Sequence, residues 1–314
     1  MNNKINILVT LVTKDRPKHL DKLLNILNNQ SLSLNDILIV DNDSTNETKE
    51  IINKWQSINN NIKTVDTKRN SGSAGGQHTA MAYARGNGYD AVWTMDDDCE
   101  PSENAFEEIA KKWYSIEDKN NWVLNSTVKR LDSDTLSFGL WHTENNLTNK
   151  PHDLVWEVND LKKEYIDNNF FPNWGCFFNG TLVPCELMKR IGLPRPEFFI
   201  RGDEVEFLYR VLRYANVGTV LSSVVRHPHD SENFEDLANW KKYYSLRNSL
   251  IIEKWYFPEN MKNADNPKKQ WCDFKKYFIR KLIVKRTLVP KVNRLAHKDA
   301  YFEYFGRDVF NELK

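Results

Sequence analysis

A chain of 314 residues with 40% hydrophobic content, twelve glycines and eleven prolines is sized for one large globular domain or two, and is neither disordered nor fibrous. No apolar run approaches the roughly 20 residues that span a bilayer. The first residues lack a signal-peptide pattern. Four cysteines (Cys99, Cys176, Cys185, Cys272) without CxxC spacing read as reduced thiols of a cytoplasmic protein, not as a zinc site or a disulfide framework. The net charge of +1 hides a division: residues 241–314 hold 18 Lys and Arg against 8 Asp and Glu, leaving 26 against 35 for residues 1–240. An acidic front and a basic tail point to two parts with different partners.

Ile5 to Val12 is a β-branched apolar run, the pattern of a buried strand. Pro17 opens a helix with Leu20, Leu23, Leu24 and Leu27 on one face. A second strand, ILIVD over 37–41, precedes a polar turn and a helix carrying Ile51, Ile52, Trp55 and Ile58 at helical spacing. Residues 62–67 predict a short strand, and a Gly-rich turn then leads into a helix over 75–86. A fourth apolar strand, with Ala91, Val92, Trp93 and Met95, ends on Asp96, Asp97 and Asp98. Pro101 or Ser102 starts the next helix, packed through Phe106, Ile109 and Trp113. Strands and helices alternating in this way imply a doubly wound α/β domain. In such sheets the ligand lies beyond the carboxyl ends of the strands, where Asp41 and the three aspartates both fall.

Residues 132–170 are polar and Asn-rich, the composition of loops and edge strands. Beyond an aromatic, turn-rich stretch over 171–184, the pattern predicts a helix over 185–191. It then predicts a loop running into a helix over 198–215 and a strand over 219–230 that ends at two histidines. From about 235 the chain reads as helices rich in Trp, Tyr, Phe, Lys and Arg. The expected division is a catalytic domain over 1–234 and a helical C-terminal region over 235–314.

Three adjacent carboxylates at a strand end repel one another unless a positive group sits among them. Residues two apart on a strand point the same way, so Asp96 and Asp98 suit one site while Asp97 faces elsewhere. Oxygen ligands of this kind suit Mg2+ or Mn2+ carrying an anionic substrate. Helix-dipole stabilisation accounts for one such aspartate and poorly for three. The stretch RNSGSAGGQHTA over 69–80 permits close approach of a phosphate at a helix N-terminus, although glycine-rich turns often serve only as turns. Asp41 suits contact with a base or ribose, and equally suits capping of the helix that follows. The acids of DEVEF over 203–207, beside Phe198, Phe199 and Ile200, suit general-base work or a solvated helical turn. His227 suits a metal ligand or a core histidine.

Taken in order, these pieces resemble the inverting glycosyltransferase family 2, which has a GT-A fold. The matching stretches are VTLVTKDRP (9–17), LIVDNDST (38–45), RNSGSAGG (69–76), TMDDD (94–98), NGTLVP (179–184), FIRGDEVEFLYR (199–210) and YYSLRN (243–248). They span about residues 5–250. Within the family, DDD in place of DxD looks most like bacterial galactofuranosyltransferases, and relatives that transfer rhamnose share much of the pattern.

The resemblance implies that Thr10, Thr13, Arg16, Asp41 and Asn42 line a nucleotide pocket, with Asp41 accepting from the uracil imide. Asn70, Gly75 and Gly76 approach ribose or diphosphate. Asp96 and Asp98 hold Mn2+ or Mg2+, His227 completes the coordination, and Asp97 faces the donor sugar. The base of the family matches Glu204, where this chain carries Glu in place of the usual Asp. Glu204 is favoured as the base with Asp203 contacting sugar or acceptor hydroxyls; the alternative, since the added methylene moves the carboxylate by about 1.5 Å, is that Asp203 takes the proton. Trp174 matches an aromatic acceptor platform whose usual second aromatic is replaced by Gly175.

The activity the resemblance implies is metal-dependent transfer of galactofuranose from UDP-galactofuranose to a bacterial surface-polysaccharide acceptor, a lipid-linked glycan being one candidate. The alternative donor is dTDP-rhamnose. A nucleotidyltransferase would place a basic signature loop after the first strand, which TKDRP over 13–17 matches poorly. A non-catalytic sugar-nucleotide-binding module would need neither base nor acceptor platform. The basic, aromatic stretch 268–291 is expected to lie on an anionic membrane surface or to pack its aromatic stripe on the catalytic domain. Nucleic acid is excluded as a partner by the acidic front.

Overall fold

The computed structural model describes residues 6–138, 155–161, 163–172, 175–228, 237–257 and 291–313. The chain forms two units, Met1–Pro196 with Phe207–Asp230, and Glu197–Glu206 with Ser231–Lys314. The second unit therefore takes in a short segment from within the range that the sequence assigns to the catalytic domain.

The first unit is built on a mixed sheet. Its first four long strands, β1 (Ile7–Thr13), β2 (Asp36–Asp41), β3 (Ile62–Asp66) and β4 (Ala91–Asp96), are parallel and lie in the order β3-β2-β1-β4. They alternate with α1 (Pro17–Asn28), α2 (Asn46–Ile58) and α3 (Gly72–Gly86). All seven residues of β1 are buried, as expected of a parallel strand covered on both faces. Strand alternation divides them between two cores. Ile7, Val9 and Leu11 pack with Leu20, Leu23, Leu24 and Leu27 of α1, while Leu8 and Val12 pack with Ala80, Met81 and Ala84 of α3. Burying each such leucine contributes about 1.5–3 kcal/mol.

Beyond β4 the sequence pattern is only partly followed. The two-residue strand β5 (Glu100–Pro101) comes before α4 (Ala105–Ser115), so the helix expected from Pro101 or Ser102 begins later. Pairing explains the delay: β5 runs antiparallel to a distant strand, and the Ser102 amide donates to Val224 O at 2.9 Å. Next come β6 (Trp122–Arg130), β7 (Phe170–Pro172), β8 (Thr181–Pro184), α5 (Cys185–Ile191), α6 (Asp203–Leu212) and β9 (Asn216–His227). β8 runs antiparallel between β4 and β6, β9 lies parallel to β6, and β7 pairs antiparallel with β9.

The helix expected over 75–86 starts three residues earlier. α3 begins at Gly72, which has φ +70°, so Gly75 and Gly76 lie inside the helix. A Cβ on Gly76 would stand 2.3 Å from Val12 Cγ1, and one on Gly75 would stand 2.4 Å from Ser71 Cβ. Close packing accounts for both glycines.

In the second unit, α7 (Asn239–Tyr256), α8 (Lys291–Phe302) and α9 (Val309–Glu312) enclose Tyr243, Tyr244, Val292, Ala296, Val309 and Leu313. Tyr243 donates to Asp299 Oδ2 at 2.6 Å, and Arg307 pairs with the same buried carboxylate. Among the described residues no helix is long and apolar enough to cross a membrane. The stretch 268–290 and Trp174 lie outside the described residues.

Candidate active site

Register assembles the site of the first unit. Val12 lies opposite Asp96 and Thr13 opposite Asp41, so the carboxyl ends of β1, β2 and β4 form one edge. After β4 the chain turns through Asp97, Asp98 and Cys99, and Glu100 then pairs with Arg226 of β9. That pairing brings the next residue of β9, His227, to the aspartates.

The three carboxylates have different surroundings. Asp97 is buried, with Thr13 Oγ1 donating to its Oδ2 at 2.7 Å and Arg16 Nη1 to its Oδ1 at 3.0 Å. Burial raises its pKa against the opposing pull of Arg16 and Thr13. Asp98 Oδ2 accepts from the same Arg16 nitrogen at 2.7 Å. His227 Nε2 stands 3.3 Å from Asp98 Oδ1, an ion-pair contact outside hydrogen-bonding geometry. Burial works against the charge of Asp98, yet His227 and Arg16 together hold its carboxyl down at about 2. For Asp96 the balance is reversed, and burial followed by the charge of Asp98 pushes its carboxyl up to about 7. Burial opposes the charge of His227, while the two neighbouring aspartates raise its pKa overall.

Whether a divalent cation fits here is tested by the remaining valences. Asp98 Oδ1 and His227 Nδ1 are buried and make no hydrogen bond among the described residues. Ligand atoms of Asp98, Cys99 and His227 all lie within 4.8 Å of one another. Cys99 was not singled out as a site residue from the sequence. Burial raises its thiol well above the usual range, and Sγ contacts Asn179 Oδ1 at 3.4 Å. A protonated thiol is a poor ligand for a hard cation. The oxygen and imidazole donors fit one, and a positive charge would relieve the repulsion that raises Asp96.

A second cluster lies at the ends of β2 and β3. Asp41 Oδ1 accepts from the Ser44 amide at 2.9 Å, which closes the turn before α2. Asn42 holds the start of α3. Its Oδ1 accepts from the Ser71 amide at 2.9 Å, Ser71 Oγ at 2.7 Å and Thr67 Oγ1 at 3.1 Å, while its Nδ2 donates to Gly72 O at 2.9 Å. Asn70 Oδ1 receives the Gly72 amide at 3.0 Å. Thr10 is buried within β1, between Leu38 and Thr94 in register. The structure thus brings Thr13, Arg16, Asp96, Asp97, Asp98 and His227 together, and gathers Asp41, Asn42 and Asn70 at the neighbouring strand ends.

Asp203 and Glu204 begin α6 in the second unit. Asp203 is 2% exposed, whereas Glu204 is half-buried and its Oε2 accepts from the Gly202 amide at 2.9 Å. The preceding residues Phe199, Arg201 and Gly202 have φ of 65°, 60° and 93°, all left-handed. Arg247 and Asn248 of α7 hold this segment by its carbonyls. Sequence reading matched them within a motif and gave them no role. The available signal was an Arg–Asn pair on the helical face of Tyr243, Tyr244 and Ile251.

The mixed sheet thus presents aspartates, an arginine and a histidine at the carboxyl ends of its parallel strands. The profile described as "Glycosyl transferase family 2" matches residues 8–170, just over half of the chain, and the chain belongs to that family. It is 30% identical over 241 residues to the galactofuranosyltransferase GlfT1 of Mycobacterium tuberculosis, covering 74% of this chain and 73% of that one. Against the GlfT1 of Mycolicibacterium smegmatis it is 25% identical over 245 residues, covering 76% of each. Among solved structures, GalNAc-T7 with UDP, GalNAc and Mn2+ superposes with a TM-score of 0.63 at 13% identity, over 99% of this chain and 58% of that one. Staphylococcus aureus TarS gives a TM-score of 0.55 at 15% identity, over 98% of this chain and 50% of that one. These two likenesses show the fold. The protein is a glycosyltransferase.

Proposed function

We propose that this enzyme transfers galactofuranose, with inversion, from UDP-galactofuranose to the growing glycan of a bacterial surface polysaccharide, using Mn2+ or Mg2+. The names of the relatives at 25% and 30% identity support the donor sugar. The observation that carries the metal is the pair of buried atoms without hydrogen bonds among the described residues, Asp98 Oδ1, whose only close partner is the ion-pair contact with His227 Nε2, and His227 Nδ1, beside a carboxylate pushed up to about 7. Asp96, Asp98 and His227 would hold the cation. A divalent cation bound there would neutralise the charge that develops on a departing nucleoside diphosphate.

The chain's own groups have distinct parts. Arg16 is half-exposed and carries further N–H groups suited to a diphosphate. Asp97 is proposed to meet the donor sugar through Oδ1, which it now shares with Arg16. Thr10, Thr13, Asp41, Asn42, Asn70, Gly75 and Gly76 belong to the nucleotide pocket, Asn42 by fixing the turn before α3, Gly76 by letting that helix pack close to Val12 of β1 and Gly75 by leaving room for Ser71. Glu204 is proposed to take the proton of the acceptor hydroxyl as C1 is attacked. Its greater exposure than Asp203 supports that order of roles. Trp174 is proposed as an acceptor platform, and residues 268–291 as a contact with anionic membrane.

The test is a panel of sugar nucleotides with Mn2+ and synthetic acceptors, read as released nucleoside diphosphate. UDP-galactofuranose is expected to be turned over. Preference for dTDP-rhamnose would overturn the donor, and turnover that is unaffected by chelation would overturn the metal.

A further inference from the structure

We propose that Asn248 is the positioning residue for the Glu204 carboxylate and acts through the single peptide group that joins Arg201 to Gly202; this rests on Glu204 serving as the base. Asn248 Nδ2 donates to Arg201 O at 2.6 Å, and the Gly202 amide of the same peptide donates to Glu204 Oε2 at 2.9 Å. A peptide group is planar and rigid, so fixing where its oxygen points also fixes where its N–H points. Asn248 thereby sets the direction of the hydrogen bond that Glu204 receives.

The surroundings require such a clamp. Phe199 and Arg201 take left-handed backbone at φ 65° and 60°, a conformation that is strained for side-chain-bearing residues. Asn248 Nδ2 also meets Phe198 O and Ile200 O, each at 3.0 Å, so its two N–H groups serve three carbonyls of the loop, one N–H being shared. The orientation of its amide is itself determined, because its Oδ1 accepts from Arg247 Nε at 2.9 Å and Nη2 at 2.7 Å. The side chain is fully buried. Gly202 completes the fit: at φ 93°, a Cβ there would stand 3.1 Å from Asn248 Cβ. Asp at position 248 would turn acceptor oxygens toward carbonyls, Ser would offer one donor for three acceptors, and Gln would be too long.

The test uses the full-length enzyme and steady-state kinetics with the donor that the panel selects. Asn248→Asp is expected to lower kcat about 10²-fold, the scale of a misplacement near 1 Å, with donor KM held within about twofold. Glu204→Gln is expected to lower kcat at least about 10²-fold. The double variant is expected to be no slower than Glu204→Gln alone, because both changes remove one function. Near-normal kcat in Asn248→Asp beside an impaired Glu204→Gln would overturn the proposal, as would losses that multiply in the double variant. Near-normal turnover in Glu204→Gln would instead overturn the base assignment, and this proposal with it. Gly202→Ala leaves Asn248 intact while straining the same peptide, so it carries the same kinetic test if Asn248→Asp does not fold.

Discussion

At the end of β4 Asp97 and Asp98 share one arginine, Asp98 also meets a histidine, and two buried atoms of the cluster are left without hydrogen bonds among the described residues. In the second unit, α7 buries a guanidinium that meets only acceptors and ring faces. Arg247 Nη2 donates to Glu197 O at 2.9 Å and Phe198 O at 3.2 Å, its Nε donates to Asn248 Oδ1, and the group stacks 4.9 Å from the Tyr244 ring centroid. Both regions carry a desolvation cost; the second meets it with carbonyls, an amide oxygen and ring faces, whereas the first, for all its ion pairs, leaves two buried atoms without hydrogen bonds among the described residues. A buried polar cluster that leaves acceptors unfilled is built for a ligand, and one that fills them is built to hold backbone.

That contrast is broken most directly at Asp98. Asp98→Asn is expected to abolish metal-dependent turnover, read as UDP release. It should also abolish the stabilisation that Mn2+ with UDP confers in a thermal-shift assay, a gain of about 2.7 kcal/mol at a ligand concentration 100-fold above Kd. Wild-type protein is expected to lose the same stabilisation in chelator. A shift that survives in Asp98→Asn would place the cation elsewhere.

The next effect falls on the other side of the comparison. Arg247→Met would remove the hydrogen bond that Glu197 O accepts and both of those that Asn248 Oδ1 accepts from the guanidinium, in a buried setting. At about 1–3 kcal/mol for each orphaned group, a loss of about 3 kcal/mol in urea-derived stability is expected. Arg247→Lys is expected to recover little, since an ammonium cannot reproduce the fork that reaches two carbonyls and an amide oxygen. Full stability in Arg247→Met would show that the clamp is not needed for the fold.

The sequence was readable where one element's own periodicity decides the outcome. Leu20, Leu23, Leu24 and Leu27 marked α1, Pro17 marked its start, and the apolar run ending on Asp96 marked both β4 and the site. It was opaque where distant segments decide. Glu100 and Pro101 form a strand only because Arg226 and Val225 lie beside them. Arg247 and Asn248 acquire their use only from a loop some fifty residues earlier in the chain. The same β5–β9 pairing brings His227 to Asp98 and Cys99. The fold class and the acidic strand end were therefore legible, whereas the holding of Glu204 was not.

The glycines of α3 show how the two kinds of information separate, and they carry the smallest expected effect. A Gly-rich stretch before a helix suggests a phosphate cradle, yet Gly76 faces Val12, with Cγ1 2.3 Å from where a Cβ would stand. If packing is its main requirement, Gly76→Ala costs about 1–3 kcal/mol by overpacking. Val12→Ala should then recover much of that loss, because it removes the methyl groups that the new Cβ strikes. Donor KM in the double variant is expected to stay within about twofold of the value for Val12→Ala alone. Recovered stability with a donor KM raised tenfold would show instead that the bare backbone at Gly76 touches the nucleotide, and would move this position from the core of the first unit to its ligand edge.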